Sequence, residues 1–209
     1  MEQAVRLVAL MLTMVIPSAV RGSIADPPAG LSALRTESSE LEVPFACGAR
    51  IVVSQGHKTF SHVGTDTWAW DFRVAEGTKV MAAHDGVVRL LRSDSVRGGC
   101  DRAYGPDANY VILSREDGLE TQYLHFSRIF VRLGQSVRAG ESLGEVGHTG
   151  FSCGSHLHFQ LQRTKPAVWA GQSVPARFRA AGDPGVDEEI VSANCPVGRA
   201  QRPLQTVAR

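Results

Sequence analysis

Polar and apolar residues alternate without interruption in the stretch Ser155-His156-Leu157-His158-Phe159-Gln160-Leu161-Gln162. Successive side chains of a β-strand point to opposite faces of the sheet, so this alternation predicts a strand. One face carries two imidazoles and two carboxamides, while the other carries three large apolar side chains into a core. Two imidazoles on one strand face can both reach a single small site. The stretch therefore predicts a strand that also holds a candidate metal-binding or catalytic pair.

Further short apolar or β-branched runs surround this strand, and turn residues separate them. Asp117-Gly118 lies between two of the runs and is a strong hairpin signal. Residues 92–108 contain two Gly-rich or Pro-containing turns and predict a long loop. The runs cover residues 51–54, 79–83, 87–91, 109–113, 119–123 and 142–146. Because no long helical stripe interrupts them, the sequence predicts an all-β domain, an antiparallel β sandwich or barrel-like fold with long Gly-rich loops.

The charge balance restricts the possible partners. Among 209 residues, 22 are Lys or Arg and 21 are Asp or Glu, which leaves a formal net charge of +1. A protein that follows the phosphates of a nucleic acid needs an excess of basic residues. We therefore expect no nucleic-acid partner. The hydrophobic fraction of 43% indicates a folded chain rather than a disordered one.

A second motif runs from Ser61 to Phe72. Alternation places Trp68, Trp70 and Phe72 on one face and the carboxylate of Asp71 on the other. A carboxylate on a strand flanked by aromatic residues is costly to bury unless it is paired or bound to a metal. His62, joined by His158 and by either Asp66 or Asp71, would provide two nitrogen ligands and one oxygen ligand. Such a set suits a zinc ion with a fourth position open to water.

Taken together, the ordered motifs resemble a known family. From His62 to Gln162 the chain is similar to the lysostaphin-like (LytM-type) zinc metallopeptidases, which cut peptide cross-links in bacterial peptidoglycan. The resemblance covers about half of the chain. It rests on His62 and Asp71-Phe72, Glu76-Gly77-Thr78, Ala82-Ala83-His84-Asp85-Gly86, Asn109-Tyr110-Val111-Ile112, Thr121-Gln122-Tyr123-Leu124-His125, Gly134-Gln135-Ser136-Val137, Gly144-Glu145-Val146-Gly147-His148-Thr149-Gly150 and His156-Leu157-His158-Phe159.

The resemblance implies a role for five residues. His62, Asp71 and His158 correspond to the ligands of one zinc ion. His125 and His156 correspond to a catalytic pair that does not bind the metal. The implied activity is that of an exported zinc-dependent metalloendopeptidase acting on peptidoglycan peptides.

One departure from the family pattern concerns the carboxylate ligand. The family usually spaces its first His and its Asp four residues apart, and this spacing selects Asp66. The family Asp also precedes a Gly-Thr pair by six residues, and Asp71 stands six residues before Gly77. The second criterion and the strand position favour Asp71, with a five-residue loop insertion before it. Asp66 would then be a carboxylate of the loop or of the substrate rim.

The chain divides into four predicted segments. Residues 1–22 contain a ten-residue apolar run that ends at Pro17, which is typical of a signal peptide. Residues 23–42 form an extended lead-in, residues 43–163 form the zinc metallopeptidase domain, and residues 164–209 form a C-terminal extension packed on it with a frayed tail. No cysteine directly follows the apolar run, so we expect no stable membrane anchor after signal cleavage.

Four cysteines agree with a periplasmic or extracellular location. Cys47, Cys100, Cys153 and Cys195 are far apart in sequence and form no Cys-x-x-Cys pair. An even number in an exported chain predicts two disulfides, but the sequence leaves all three pairings open.

Two other functions compete with the wall peptidase. One is a catalytically silent module that binds the wall and recruits or activates an amidase. The other is a peptidase that acts on a non-wall peptide. Because all five family positions are filled, the sequence favours the active wall peptidase over the silent module.

Overall fold

A computed structural model describes residues 40–195 of the chain, and these residues are almost entirely strands, turns and loops. The predicted signal peptide, most of the predicted lead-in and the predicted C-terminal tail lie outside the described residues. Two short 3-10 helices span Gly64–Asp66 and Arg102–Asp107. The strands are β1 (Glu40–Leu41), β2 (Arg50–Gln55), β3 (Trp70–Arg73), β4 (Lys79–Met81), β5 (Gly86–Arg92), β6 (Gly98–Gly99), β7 (Tyr110–Ser114), β8 (Leu119–Leu124), β9 (Phe126–Ile129), β10 (Ser136–Val137), β11 (Ser142–Val146), β12 (Gly150–Phe151), β13 (His156–Arg163), β14 (Arg177–Phe178) and β15 (Glu189–Val191).

Eight strands form one antiparallel sheet in the order β10-β5-β7-β8-β13-β3-β2-β15. A second antiparallel sheet has the order β4-β11-β9. Two minor pairs, β1 with β14 and β6 with β12, are parallel. The predicted all-β, antiparallel fold is therefore confirmed, with β13 at the centre of the larger sheet.

One buried cluster of apolar side chains joins the two sheets. Leu157, Phe159 and Leu161 of β13 are fully buried in this cluster, together with Phe126 and Leu143 of the smaller sheet. This is the face that the alternation in β13 assigns to the core. Because a one-residue slip would turn the apolar set outward, the cluster also specifies the register of β13.

The opposite face of β13 is buried as well, although the alternation alone suggests an open polar face. His158, Gln160 and Gln162 are at most 6% exposed. The chain around Trp169 crosses this face, and the Gln162 side chain donates to the Trp169 carbonyl oxygen at 2.8 Å. A covered polar face must satisfy its hydrogen bonds internally, which makes this row of side chains an ordered network.

Three local details differ from the sequence expectation. The predicted loop 92–108 contains β6 and the second 3-10 helix. Trp68 precedes β3 instead of belonging to it, and it lies half-buried. Residues 164–195 contribute β14 and β15, and β15 pairs with β2 at the edge of the large sheet. The predicted segment boundaries remain predictions.

The four cysteines form two disulfides, Cys47–Cys195 and Cys100–Cys153. This selects one of the three pairings that the sequence leaves open. The first bond connects chain positions 148 residues apart, close to both ends of the described region. Between residues 40 and 195, no helix has the length and apolar character that crossing a bilayer requires.

Candidate metal and catalytic site

Pairing of β3 with β13 brings two predicted ligands together. In this antiparallel pair Asp71 lies directly opposite His158, and His156 lies opposite Arg73. Residues that face each other across antiparallel strands have side chains only about 5 Å apart. His62 reaches the same point from the loop that precedes the first 3-10 helix, where its side chain is completely buried.

The donor atoms of His62, Asp71 and His158 all lie within 4.8 Å of one another. The carboxylate oxygen Oδ1 of Asp71 is 3.1 Å from Nε2 of His62 and 2.9 Å from Nδ1 of His158. Two ligands bonded to a tetrahedral zinc ion at its usual bond lengths are separated by roughly 3.3–3.5 Å. The group is therefore close to the spacing of a zinc ligand set.

The hydrogen bond on the far side of His62 supports the fit of a cation. Nδ1 of His62 is 2.9 Å from the carbonyl oxygen of Gly56, which can only accept, so Nδ1 carries the proton. A neutral His62 then turns the lone pair of Nε2 toward the Asp71 carboxylate. Two lone pairs that face each other repel unless a proton or a metal ion lies between them. This donor set and its orientation fit a zinc ion.

The negative charge of Asp71 also favours a cation at the site. Burial by itself raises the pKa of the Asp71 carboxyl, but its close contacts with the rings of His158 and His62 outweigh burial and hold this pKa well below its ordinary value. Burial lowers the pKa of His158, but the hydrogen bond and charge of Asp71 outweigh it and raise this pKa. Asp71 is thus an ionised carboxylate in a largely buried position.

Asp66, the alternative ligand, lies elsewhere. It ends the first 3-10 helix and contributes to the wall of the cleft, where its Oδ1 accepts from the Thr65 hydroxyl at 3.3 Å. It is not part of the group formed by His62, Asp71 and His158. The structure thus places Asp71, and not Asp66, beside the two histidines.

His125 and His156 stand next to this group. Their ring centroids are 4.6 Å apart, and Nε2 of His156 is 3.6 Å from the second carboxylate oxygen of Asp71. Nδ1 of His125 donates to the Thr149 carbonyl oxygen at 2.6 Å, and Nδ1 of His156 donates to the Gly154 carbonyl oxygen at 2.8 Å. When either ring is neutral, its proton is therefore on Nδ1 and its lone pair on Nε2.

The backbone at His125 is unusual for a residue with a side chain. Its φ of 72° lies in the left-handed region, which non-glycine residues rarely adopt. The surrounding chain holds it there, because its N–H donates to Asn109 and its carbonyl oxygen accepts from Gly147. Such strain concentrates at functional sites. Burial, with added repulsion from His156 and His158, lowers the pKa of His125 to about 3.

The group opens into a cleft of about 530 Å³. Sequence reasoning missed its apolar wall, which includes Phe60, Phe151 and Trp169. Phe60 is 73% exposed at the rim, whereas Trp169 belongs to the segment interpreted as an extension. Phe60 stands two residues before His62 and Phe151 stands in the Gly-rich loop before His156, and aromatic residues this close to site histidines are a sequence signal that could have identified them.

The Cys100–Cys153 disulfide joins the predicted loop 92–108 to the segment that leads to His156. Ser152 in this segment is 3.0 Å from Nδ1 of His148 and donates to the Gly154 carbonyl oxygen at 2.7 Å. The β6–β12 pair lies beside the disulfide. The segment is thereby held at several points next to the catalytic candidate His156.

The remaining histidines have structural partners. Nε2 of His57 is 3.1 Å from Asp183, and its ring lies against Trp70 with centroids 4.3 Å apart. His84 lies in the turn before β5, where its Nδ1 donates to the Asp85 carbonyl oxygen and its Nε2 is 2.8 Å from the Thr121 hydroxyl oxygen. Burial lowers the pKa of His84 to about 4.

Comparison with known proteins identifies the family. Residues 65–170 match the model of Peptidase family M23. The chain belongs to this family. The match includes Asp71 and His158 and begins three residues after His62. The predicted resemblance to lysostaphin-like peptidases is thereby confirmed.

Two curated relatives show how much of this M23 domain is shared. The peptidoglycan DD-endopeptidase ShyA of Vibrio cholerae is 37% identical over 100 residues, which are 48% of this chain and 20% of ShyA. A metalloprotease of Haemophilus influenzae is 37% identical over 98 residues, which are 47% of this chain and 19% of that protein. The chain thus spans about a fifth of the length of these relatives.

Among solved structures, the catalytic domain of a variant of the prophage-encoded M23 protein EnpA from Enterococcus faecalis is 28% identical. The superposition covers 63% of this chain and 94% of the EnpA domain, with a TM-score of 0.48.

Proposed function

We propose that this M23 domain is an exported zinc-dependent endopeptidase that cuts peptide cross-links of peptidoglycan. The observation that carries the proposal is the convergence of His62, Asp71 and His158 at the base of an open cleft, with His125 and His156 beside them. Two imidazoles and one carboxylate would hold the ion and leave one coordination position for water or substrate. When bound, the zinc ion supplies Lewis acidity that polarises a peptide carbonyl and acidifies a water molecule.

His125 and His156 are the candidates for proton transfer. Because both rings hold their proton on Nδ1 through a backbone carbonyl, Nε2 is the atom of each ring that would accept a proton and return it to the leaving amine. The pKa of about 3 makes His125 the weaker base, so His156 is the favoured proton acceptor. The protonated ring also donates a hydrogen bond to the oxygen on which negative charge develops. His156 is partly exposed to the cleft, while His125 is almost completely buried.

The names of the relatives support the substrate. ShyA and two further proteins of Vibrio cholerae are named peptidoglycan DD-endopeptidases. The cleft is open and has an apolar wall, and both features suit an extended peptide as the substrate. Export is supported by the apolar run Leu7–Ile16 in the sequence and by the two disulfides, which persist in oxidising compartments.

The test is digestion of purified peptidoglycan by the mature protein, with and without a chelator, followed by mass spectrometry of the released fragments. We expect fragments that disappear with chelator and return with added zinc, and their masses identify the bond that is cut. Intact peptidoglycan in the presence of a zinc-loaded protein would refute the proposal and support the silent binding module.

Two variants separate the proposed roles. His156→Ala should retain zinc and lose about 10²–10⁴-fold in turnover, because only proton transfer is removed. His158→Ala should lose the metal itself. Zinc content measured on both purified variants checks the difference, and loss of zinc from both would contradict the assignment of His156 as a residue that does not bind the metal.

A further inference from the structure

A row of buried polar side chains continues along β13 beyond the proposed metal site. Gln160 and Gln162 follow His158 at alternate positions and share its face, and both are completely buried. The far end of the row is Glu120, whose two carboxylate oxygens accept from the Arg89 guanidinium at 2.6 and 2.8 Å. A buried carboxylate paired in this way is a rigid acceptor.

The orientation of the Gln162 carboxamide follows from partners that have only one role. Its Nε2 lies 2.7 Å from a Glu120 oxygen and 2.8 Å from the Trp169 carbonyl oxygen, and both of these can only accept. Its Oε1 lies 3.1 Å from the backbone N–H of Gly171, which can only donate. The reverse orientation would place like groups together at all three contacts.

Gln162 in turn determines how Gln160 is oriented. Nε2 of Gln160 donates to Oε1 of Gln162 at 2.7 Å, so Oε1 of Gln160 is the atom left for another partner. Within residues 40–195, this Oε1 has no hydrogen-bond partner, and the same holds for Nε2 of His158. The two side chains are neighbours on one face of β13. Oε1 of Gln160 is thus available to accept a hydrogen bond, and Nε2 of His158 is available to donate one.

We propose that Gln160 is a positioning residue for His158: its Oε1 accepts the proton of Nε2 and keeps the lone pair of Nδ1 directed at the metal. The inference rests on the proposed function, since Nδ1 of His158 is the atom that faces Asp71. A metal-binding histidine usually donates its other N–H to an acceptor that orients the ring. For His62 that acceptor is the Gly56 carbonyl oxygen, and Gln160 supplies the equivalent for His158.

The rest of the row keeps Gln160 from reversing. A reversed carboxamide would place its oxygen against Oε1 of Gln162, which loses the hydrogen bond observed there, and would turn its NH₂ toward the N–H of His158. The hydrogen bonds that connect Arg89, Glu120, Gln162 and Gln160 therefore fix one orientation of the Gln160 carboxamide beside the metal site.

The experiment compares Gln160→Met and Gln122→Met in the full mature chain. Methionine is similar in length to glutamine but offers no strong acceptor. Gln122 is the matched control, because it is equally buried, lies opposite Gln160 on β8 and also donates to Gln162. Zinc affinity is measured by competition with a chromophoric chelator, and thermal unfolding of the chelated proteins reports general damage.

We expect Gln160→Met to weaken zinc binding by about 10–100-fold and Gln122→Met to leave it nearly unchanged. Gln160→Glu keeps an acceptor oxygen toward His158. Its zinc affinity should therefore lie between that of Gln160→Met and that of the wild type, closer to the wild type. Equal affinities of Gln160→Met and wild type, or equal losses in both methionine variants, would overturn the inference. A wild-type protein that binds no zinc would instead overturn the proposed function.

A second measurement needs no variant. Long-range ¹H–¹⁵N correlation spectra of the zinc-loaded wild type identify which ring nitrogen of each histidine carries the proton. We expect His158 to carry it on Nε2, with slow exchange against solvent. A proton on Nδ1 of His158 would contradict the role of Gln160.

Discussion

Replacing Asp71 by Asn tests the proposed metal site most directly, because the side chain keeps its shape and loses its charge. In the structure one oxygen of Asp71 lies 2.9 and 3.1 Å from nitrogens of His158 and His62, so it is the common neighbour of both rings. Structural zinc sites with four ligands bind with about 10–16 kcal/mol, or roughly 2.5–4 kcal/mol for each ligand. Loss of one ligand should therefore weaken zinc binding by about 10²–10³-fold.

The matched control is Asp66→Asn, which removes the same charge from the same cleft. Asp66 stands four residues after His62, at the spacing the family usually shows, but its side chain lies outside the His–Asp–His group. We expect Asp66→Asn to bind zinc nearly as the wild type does. Zinc dissociation constants from chelator competition at pH 7.5 provide the comparison, and thermal unfolding of the chelated proteins shows whether each variant is folded.

Two outcomes would refute the reasoning. If Asp66→Asn loses zinc while Asp71→Asn retains it, the carboxylate ligand comes from the loop and the pairing of β3 with β13 does not build the site. If both variants keep full affinity while folded, neither carboxylate is a ligand.

Three further predictions concern stability. The pKa of His84 is about 4, so the unfolded chain takes up this proton at a higher pH than the folded one, and the contribution to stability is lost as the pH falls from about 6.5 to about 4. In chelator, His84→Gln should therefore lose about 2.5 kcal/mol less stability than the wild type between pH 7.5 and 4.5, measured by urea unfolding. Replacing Cys47 and Cys195 by Ser opens a loop of 148 residues and should cost up to about 5 kcal/mol in the same assay. A Cβ added at Gly98 would collide with the backbone carbonyl of His148, so Gly98→Ala should cost about 1–3 kcal/mol and lower the Tm by several degrees.

Each of these predictions has a result that contradicts it. An identical loss of stability on acidification in wild type and His84→Gln would show that other groups carry the pH dependence. Unfolding free energies that do not change when the Cys47–Cys195 bond is removed would show that packing alone holds the ends of the described region. Gly105→Ala is the control for Gly98→Ala, because an added Cβ there meets nothing within 4 Å; equal losses in both would exclude the steric explanation.

Much of the fold was predictable because β-strands leave a local pattern. Alternation in residues 156–162 predicts β13 and its core face, and Asp117-Gly118 marks the turn between β7 and β8. These signals depend on neighbours in sequence. The resemblance to M23 peptidases had the same origin, since its motifs are short and keep their order along the chain.

The sequence favoured Asp71 over Asp66 as the carboxylate ligand but did not settle the choice. Spacing from His62 favoured one residue and the offset to Gly77 favoured the other. Pairing of β3 with β13 decides the geometry, because it sets Asp71 opposite His158 and leaves Asp66 in the cleft wall. Residues can share a metal ion only if their side chains lie close together in space. For Asp71 and His158, which are 87 residues apart in sequence, this distance depends on the register between β3 and β13.

The sequence by itself determined the β-rich fold, the family and the chemical types of the site residues, because strand alternation and ordered motifs are local. Only the tertiary structure decided the disulfide pairing, the burial of Gln160 and Gln162, and the orientation of their carboxamides. Each of these depends on a remote segment, such as the chain around Trp169 that covers the polar face of β13. A side chain's neighbours across the fold, and not those along the chain, determine which of its atoms donates and which accepts.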